Sequence, residues 1–467
     1  MASLAEPKPL VVAPNERAGR IVWALAWPAV ALNSLQVVNT LLDRGFIGHL
    51  DPAALTAHGG ATNVLFLMFS LAMALGTATT AIVSRAYGAG NNGELREGAR
   101  QALGVSLFGA VLAMAVCAGL AAVFAAALLP STDHAARQSM ESFLKAYAVG
   151  LPAIYLIQVL AGSLRGIGDT KSPMVISGIQ IALHIGLNYL FIFPGHDLAG
   201  ARVPGLGWGL TGAGAALSLS AWVSAIGYLF YASYTPLGAQ WRLALPSLAW
   251  AKRILRIAIP AALMAILRVG SLAAFTIVLA SLPGANGSTA IAAMSTGFAI
   301  ESMMFMPAFG LSIAAATLVG QSLGMRRPDR AERLGWTAGH YAALVTLLLS
   351  IPIFLAAPSI ASLLVGNKVE IAREAALLIQ ILCVTEVLFA YAMTMIGAMQ
   401  GAGDTIRPMW ITIICMWGLR VPLAWVLAFP LGYGSKGAWI AMSVTQAIQG
   451  VMAIVLFKQG QWKHKKV

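Results

Sequence analysis

Five charged side chains lie inside long apolar stretches of the sequence, where a lipid bilayer would reject them. A charge at the centre of a bilayer costs about 2.5–3.5 kcal/mol even on lenient insertion scales, so each one needs a partner, a wet cavity or a bound proton. Such residues are typical of ion pathways and proton relays. They are three acids and two arginines: Asp43, Glu301, Glu386, Arg268 and Arg420.

Asp43 lies on a polar face of its predicted helix. Gln36, Asn39 and Thr40 precede it by seven, four and three residues, so the four side chains share one side. A carboxyl group sheltered among apolar helices can gain and lose a proton during a transport cycle. The alternative is that Asp43 caps the helix end or pairs with Arg44, although Arg44 points about 100° away around the helix.

Two polar residues of another apolar stretch are expected at the depth of Asp43. Asp43 lies about 6 Å before the outer end of the first span at 1.5 Å per residue. Asn188 lies six residues before the outer end of the fifth span, and His184 lies one turn deeper. We therefore expect Asp43, Asn188 and His184 to form a cluster in the N-terminal half. His184 is either a satisfied buried histidine or a proton relay.

The other four charges come near mid-depth in the C-terminal half. Because Glu301 and Glu386 balance Arg268 and Arg420, mutual salt bridges could hold all four. The alternative is that one of the two acids faces a cleft and attracts a cationic substrate.

The elements that position these residues are membrane-spanning helices. Apolar residues make up 59% of the 467 residues and charged residues only 10%, against about 25% charged in ordinary globular domains. About 20 apolar residues span a bilayer. The sequence predicts an all-α membrane protein with twelve spans: 21–47, 61–84, 98–129, 139–165, 173–194, 207–232, 252–281, 291–322, 335–365, 371–400, 408–432 and 434–458.

The distribution of basic residues predicts the orientation. With the N-terminus inside, 21 Lys and Arg residues fall on the inner side and seven on the outer side, which the positive-inside rule favours. We expect both termini inside, in a multi-pass, monomeric protein of a prokaryotic inner membrane. The predicted divisions are a cytoplasmic tail 1–20 without a signal peptide, a lobe 21–232, a linker 233–251, a lobe 252–458 and a basic tail 459–467.

The chain repeats itself. GIGDTKSPM at 166–174 matches GAGDTIRPM at 401–409, and AIVSRAYGAG at 81–90 matches TLVGQSLGMR at 317–326. Pro28 of the first span corresponds to Pro260 of the seventh, and both are candidate hinges because proline kinks helices. Two six-helix copies entering from the same side predict a pseudo-twofold axis along the membrane normal, with a cleft that rocking opens to either side.

At these motifs the sequence resembles the multidrug and toxic compound extrusion (MATE) family. The likeness comprises WPAVALNSLQVVNTLLDRGFIGHL in the first span, the AIVSRAYGAG turn, the paired G-x-G-D-T-x-x-P-M loops and LVGQSLG in the eighth span. It covers nearly the whole chain. The resemblance implies a twelve-helix antiporter that exports organic, often cationic compounds, driven by inward proton or sodium flow.

The resemblance also implies that Asp43 and Asn188 match the N-lobe cation or proton site of the family. One branch has a second aspartate where this chain has Asn188, and asparagine is common where this chain has His184. Arg268 stands where some bacterial members carry a glutamate for sodium coupling. A sodium site gains affinity from carboxylates and oxygen ligands, so we expect proton coupling rather than sodium coupling, with no cofactor.

Other function classes fit less well. The excess of 13 positive charges lies between apolar spans without a basic stripe and stacking aromatics, so we expect lipid rather than nucleic acid as the partner. The sequence has no Walker motif and no metalloprotease or serine-hydrolase motif, which argues against an ATP-driven pump or an enzyme. The runner-up is a lipid-linked precursor flippase of the same superfamily, which would favour a strongly cationic cleft.

Overall fold

The computed structural model describes residues 18–198, 201–238, 245–284, 286–366, 368–465 and 467. Residues 1–17 of the predicted tail and residues 239–244 of the predicted linker therefore lie outside the described residues. The described chain is nearly all helical. In its first half the helices are α1 Ala18–Gly48, α2 Pro52–Gly88, α3 Asn92–Gly119, α4 Ala121–Leu128, α5 His134–Ala148, α6 Leu151–Gly166, α7 Lys171–Ile192 and α8 Gly209–Ser233.

The second half continues the helical pattern with one irregular helix. A π-helical segment, Ile413–Arg420, joins two short helices into the single span Ile406–Ala428, and a 3₁₀ turn, Gln461–His464, follows the last helix. The helices are α9 Leu248–Ala280, α10 Asn286–Gly324, α11 Pro328–Val365, α12 Val369–Gly401, α13 Ile406–Thr412, α14 Val421–Ala428 and α15 Gly434–Gln459.

Among the described residues, eleven helices are long and apolar enough to cross a membrane. The number becomes twelve when α5 and α6, which meet at a bend of 48°, count as one span. That pair coincides with the predicted span 139–165. The prediction of a helical membrane protein with twelve spans is confirmed.

A short β-hairpin between α7 and α8 was not predicted. Strands β1 Pro194–Leu198 and β2 Ala201–Leu206 pair antiparallel. Backbone bonds from Gly207 N and Trp208 N to the carbonyl oxygens of Phe193 and Phe191, both 2.9 Å, tie the hairpin to the end of α7. These are non-local backbone contacts, whereas the short, Gly- and Pro-containing strands have little of the alternation that identifies a strand in sequence.

The chain divides into two compact units. Unit 1 contains residues 31–258, and unit 2 contains 12–30 and 259–467, as far as they are described. In unit 2, the start of α1 contributes Ile21, Val22 and Leu25 to a buried cluster with residues of α10 to α12. In unit 1, the start of α9 is tied to α3 by an ion pair of 2.5 Å between Arg253 Nη2 and Glu94 Oε1.

The helices α1 and α9 therefore each change unit, close to Pro28 and Pro260. The unit boundaries differ from the predicted lobes 21–232 and 252–458 at these two helix starts. The predicted lobes describe the duplication of the chain, whereas the compact units follow the proximity of backbone segments in the folded chain.

Equivalent close helix contacts occur in both units and reflect the duplication. A Cβ on Gly162 of α6 would lie 2.5 Å from the carbonyl oxygen of Gly76 in α2, and a Cβ on Gly397 of α12 would lie 2.6 Å from that of Ser312 in α10. Gly162 and Gly397 are separated by the repeat offset of the two G-x-G-D-T loops. Only a residue without a side chain allows these backbones to approach so closely.

Candidate functional site

The C-terminal halves of α1 and α7 bring a polar cluster together inside unit 1. Asp43 Oδ2 accepts a hydrogen bond of 3.2 Å from Asn39 Nδ2, one turn earlier on the same helix. Asp43 Oδ1 accepts a bond of 2.7 Å from Asn188 Nδ2 and lies 3.0 Å from His184 Nε2. The side chain of His184 is 5% exposed and that of Asp43 24%. We define these four residues as the Asp43 cluster.

The contact between Asp43 and His184 requires a proton. Asp43 Oδ1 and His184 Nε2 each carry a lone pair when deprotonated, and two lone pairs at 3.0 Å repel each other. The N–H of the neutral Nε2–H tautomer of His184 converts the contact into a hydrogen bond to the carboxylate. The geometry therefore defines a hydrogen bond whose donor is set by the tautomer of His184.

The tautomer of His184 also determines which group accepts a hydrogen bond from the Asn188 amide. Its Nδ2 lies 2.7 Å from Asp43 Oδ1 and 3.1 Å from His184 Nε2. When His184 donates its Nε2 proton to Asp43, Asn188 donates to the carboxylate alone. Among the described residues, Asn188 Oδ1 and His184 Nδ1 are buried without a hydrogen-bond partner.

Gln36 and Arg44 were considered from the sequence as neighbours of Asp43, and neither bonds to it among the described residues. The side chain of Gln36 is exposed, and its backbone carbonyl accepts a bond of 3.0 Å from the Thr40 hydroxyl. The pairing of Asp43 with Arg44, the structural alternative, is not among the salt bridges of the described residues, where Asp43 pairs with His184. The angular separation of adjacent residues on a helix explains this.

His58 is a residue of this region that sequence reasoning missed. It lies on α2, packs edge-on against the Phe143 ring at 5.8 Å, and interacts electrostatically with Asp43 and Arg44. Its Nδ1 is buried without a hydrogen-bond partner among the described residues. The sequence signal was a lone histidine seven residues into the second helix, near the outer side where Asp43 was expected.

The four charged residues of the C-terminal half lie within unit 2, and two of them, Glu301 and Arg420, bond to neutral partners. Glu301 Oε1 accepts a bond of 3.1 Å from Gln446 Nε2, and Arg420 Nε donates a bond of 3.0 Å to Thr445 Oγ1. No salt bridge within 4.0 Å joins any two of the four charges among the described residues.

This cluster contains several unsatisfied buried atoms. Three atoms of these charged side chains are buried without a hydrogen-bond partner among the described residues. They are a carboxylate oxygen of Glu386, which is 1% exposed, Nε of Arg268 and Nη2 of Arg420. Glu301 interacts electrostatically with Arg420, and Glu386 with Glu301. Arg420 ends the π-helical segment, an irregularity that is frequent at functional sites.

A duplicated array of apolar helices with ionisable groups at membrane depth defines a multi-pass membrane transporter. The described residues contain no group of three His, Cys, Asp or Glu side chains placed to hold a metal ion.

Comparison with known proteins gives the family. The model of the MatE family matches residues 28–190 and 260–426, one match in each half of the chain. A probable multidrug resistance protein NorM of Thermotoga maritima is 30% identical over 451 residues, covering 95% of this chain and 93% of the relative. A NorM relative of Bradyrhizobium diazoefficiens is 27% identical, covering 93% and 92%.

Solved structures have the same fold. A crystal structure of MATE in complex with MaL6 matches with a TM-score of 0.87 at 22% identity, covering 95% of this chain and 96% of that one. A multidrug resistance MATE family transporter of the MOP superfamily in its outward-facing conformation matches with a TM-score of 0.84 at 22% identity and the same coverage. The chain belongs to the MatE family. It is a transporter of the multidrug efflux type in a prokaryotic inner membrane, and not an enzyme.

Proposed function

We propose that this transporter exports organic, often cationic compounds in exchange for inward protons, and that the Asp43 cluster carries the proton. Both termini lie inside in this proposal, as the charge bias predicts. We also propose that the protein acts as a monomer. The observation that carries the proposal is a single carboxylate, 24% exposed, that accepts hydrogen bonds from Asn39 and Asn188 and lies 3.0 Å from the imidazole of His184.

The composition of the Asp43 cluster favours a proton over sodium as the coupling ion. Asn39, Asn188 and His184 place nitrogen atoms within 3.2 Å of one carboxylate. Sodium gains affinity from carboxylate charge and oxygen ligands, whereas this cluster has a single carboxylate and His184 offers a nitrogen. The N–H donors stabilise the ionised form of the carboxylate.

Protonation of Asp43 gives the cluster a second arrangement. A protonated carboxyl group donates a hydrogen bond and needs an acceptor. Asn188 Oδ1, which is buried without a partner among the described residues, becomes that acceptor when the amide turns over. Loss of the charge and rotation of one amide would thus link proton binding to the contact between α1 and α7.

The prolines provide a route from the cluster to a larger movement. Pro28 lies fifteen residues before Asp43 on α1, and α1 changes compact unit directly after Val30. Pro260 lies at the corresponding point of α9, which changes unit after Ala258. Both helices can bend where a proline has removed a backbone hydrogen bond. We propose Pro28 and Pro260 as the hinges of alternating access.

Glu301 and Glu386 take part in substrate attraction in this proposal. The absence of close ion pairs in the described part of unit 2 leaves Glu386 with an acceptor atom that a cationic or hydrogen-bonding compound can use. Arg268 and Arg420 keep the net charge of the group near zero.

The test is transport of ethidium by the purified protein in liposomes, with each ion gradient applied separately. A pH gradient at equal sodium should drive ethidium uphill, and a sodium gradient at equal pH should not. Liposomes without protein provide the leak rate. Sodium-driven transport at equal pH, with no response to the pH gradient, would contradict proton coupling.

A further inference from the structure

The repeated G-x-G-D-T turns have a structural role that the transport site does not explain. Asp169 and Asp404 occupy the same place in the two turns, directly after a glycine with positive φ, 94° at Gly168 and 83° at Gly403. The backbone N–H of each aspartate bonds at 2.9 Å to the helix that precedes its turn. The duplicated geometry places both carboxylates at the same end of their unit.

In unit 1 the carboxylate binds neutral groups. Asp169 Oδ1 accepts a bond of 2.9 Å from Ser172 N, and Oδ2 accepts one of 2.9 Å from the hydroxyl of Tyr231, near the end of α8. The turn is thereby joined to the last helix of its unit.

In unit 2 the equivalent carboxylate binds cations of the C-terminal tail and of its own turn. Asp404 is fully buried and pairs with Arg407, and Lys465 Nζ lies 3.8 Å from Asp404 Oδ1. Arg407 Nη2 donates a further bond of 2.5 Å to Gln461 Oε1 in the tail. The last helix is again joined to the turn, but through charges and through the chain that follows the helix.

The tail itself is folded onto unit 2. Gly460, with φ of 72°, ends α15 in the left-handed conformation and turns the chain back. Trp462 is fully buried, stacks on Phe457 at 4.7 Å, and donates from Nε1 to the carbonyl of Phe457 at 2.8 Å. Lys463 Nζ pairs with Glu332 Oε2 of α11 at 2.6 Å. One short segment therefore contacts the start of α11, the turn after α12 and the end of α15.

We propose that residues 460–465 form an intramolecular latch that locks these ends of α11, α12 and α15 into one rigid block, and that efficient transport depends on the closed latch. Rocking transporters move each bundle as a body. A bundle whose helix ends slip against one another transmits less of the movement. Opening the latch should therefore lower the maximal transport rate and leave substrate affinity unchanged, because Asp404, Glu332 and Trp462 belong neither to the Asp43 cluster nor to the group of Glu301 and Glu386.

The test uses charge reversal across the pair between Lys463 and Glu332. Lys463→Glu and Glu332→Lys alone should each lower the maximal rate about threefold, the size expected of an ion pair that is a fifth to a third exposed. The concentration of ethidium for half-maximal rate should not change. The double variant restores opposite charges and should recover the rate, a coupling that a double-mutant cycle isolates.

Lys458→Glu is the matched control, since Lys458 is exposed on the last turn of α15, outside the latch. Trp462→Ala is the second variant, and it should lower the maximal rate further than either reversal. The proposal is overturned if the single reversals behave as the Lys458 control does, or if the double variant stays as slow as the singles. It is also overturned if Trp462→Ala folds and transports at the wild-type rate.

Discussion

Replacement of Asp43 by asparagine should uncouple transport from the proton gradient while leaving the fold intact. Asparagine has the shape of aspartate and keeps one acceptor oxygen, which can take the place of Oδ1 and accept from Asn188. Its amide nitrogen then replaces Oδ2, and Asn39 must turn its amide over to accept with its own unpartnered oxygen. The variant cannot take up a proton, so it removes the coupling chemistry while its hydrogen bonds can be remade.

The size of the expected ethidium gradient follows from the exchange of one proton per transported cation. Exchange of one proton for one monovalent cation moves no net charge, so only the pH difference drives it. One pH unit is worth about 1.4 kcal/mol per proton. That free energy sustains a concentration ratio of about tenfold. The wild type should therefore concentrate ethidium about tenfold per pH unit, and Asp43→Asn should not exceed the leak of empty liposomes.

The assay is steady-state ethidium fluorescence in liposomes at a series of imposed pH differences. Asp51→Asn is the matched control: Asp51 caps α2 by accepting a bond of 2.7 Å from Ala54 N, and asparagine caps helices equally well. Elution of each variant as a single species checks the fold. If Asp43→Asn still builds a tenfold gradient per pH unit, the proton moves through another group and the reasoning from the Asp43 cluster fails.

Three further predictions concern the cluster, the hinge and the helix contacts. Asn188→Asp places a second carboxylate beside Asp43 and should make transport respond to a sodium gradient, because paired carboxylates attract a metal cation; an unchanged ion preference in the liposome assay would contradict this. Pro28→Ala restores a helix hydrogen bond at the proposed hinge and should lower the maximal efflux rate with ethidium binding retained; wild-type efflux and pH dependence would remove the hinge. Gly162→Val forces a side chain against the backbone of α2, where a Cβ would lie 2.5 Å from a carbonyl oxygen, and should destabilise the protein by about 1–3 kcal/mol. Thermal unfolding in detergent measures this against Gly186→Ala, where a Cβ meets nothing within 4 Å; equal midpoints would refute the close-packing argument.

The membrane fold and its duplication could be predicted from local patterns. A span is a run of apolar residues of bilayer length, so composition in a short window identifies it. The repeat is visible because GIGDTKSPM and GAGDTIRPM retain both the glycine of positive φ and the acid that follows it. The contacts of Asp43 with Asn188 and His184 place the three side chains at one depth, which the constant rise per residue along a helix made it possible to expect.

Contacts between distant residues could not be predicted in this way. Mutual salt bridges were one of two alternatives for the side chains of Glu301 and Arg420, but in the structure they bond to Gln446 and Thr445 of α15. Rotation of each helix about its axis decides such partners, and apolar composition all around a span carries no information about that rotation. His58 was missed for another reason: it precedes the predicted span 61–84, whereas α2 begins at Pro52.

The sequence by itself determined that this protein is a duplicated bundle of membrane helices with an ionisable residue near one end of its first span, because hydrophobicity and motif spacing are properties of the chain alone. Only the tertiary structure decided that Asp43 and His184 come within 3.0 Å of each other, that α1 and α9 each change compact unit beside a proline, and that Trp462 is buried. These features depend on distances between residues far apart in the chain, which packing sets and sequence spacing does not.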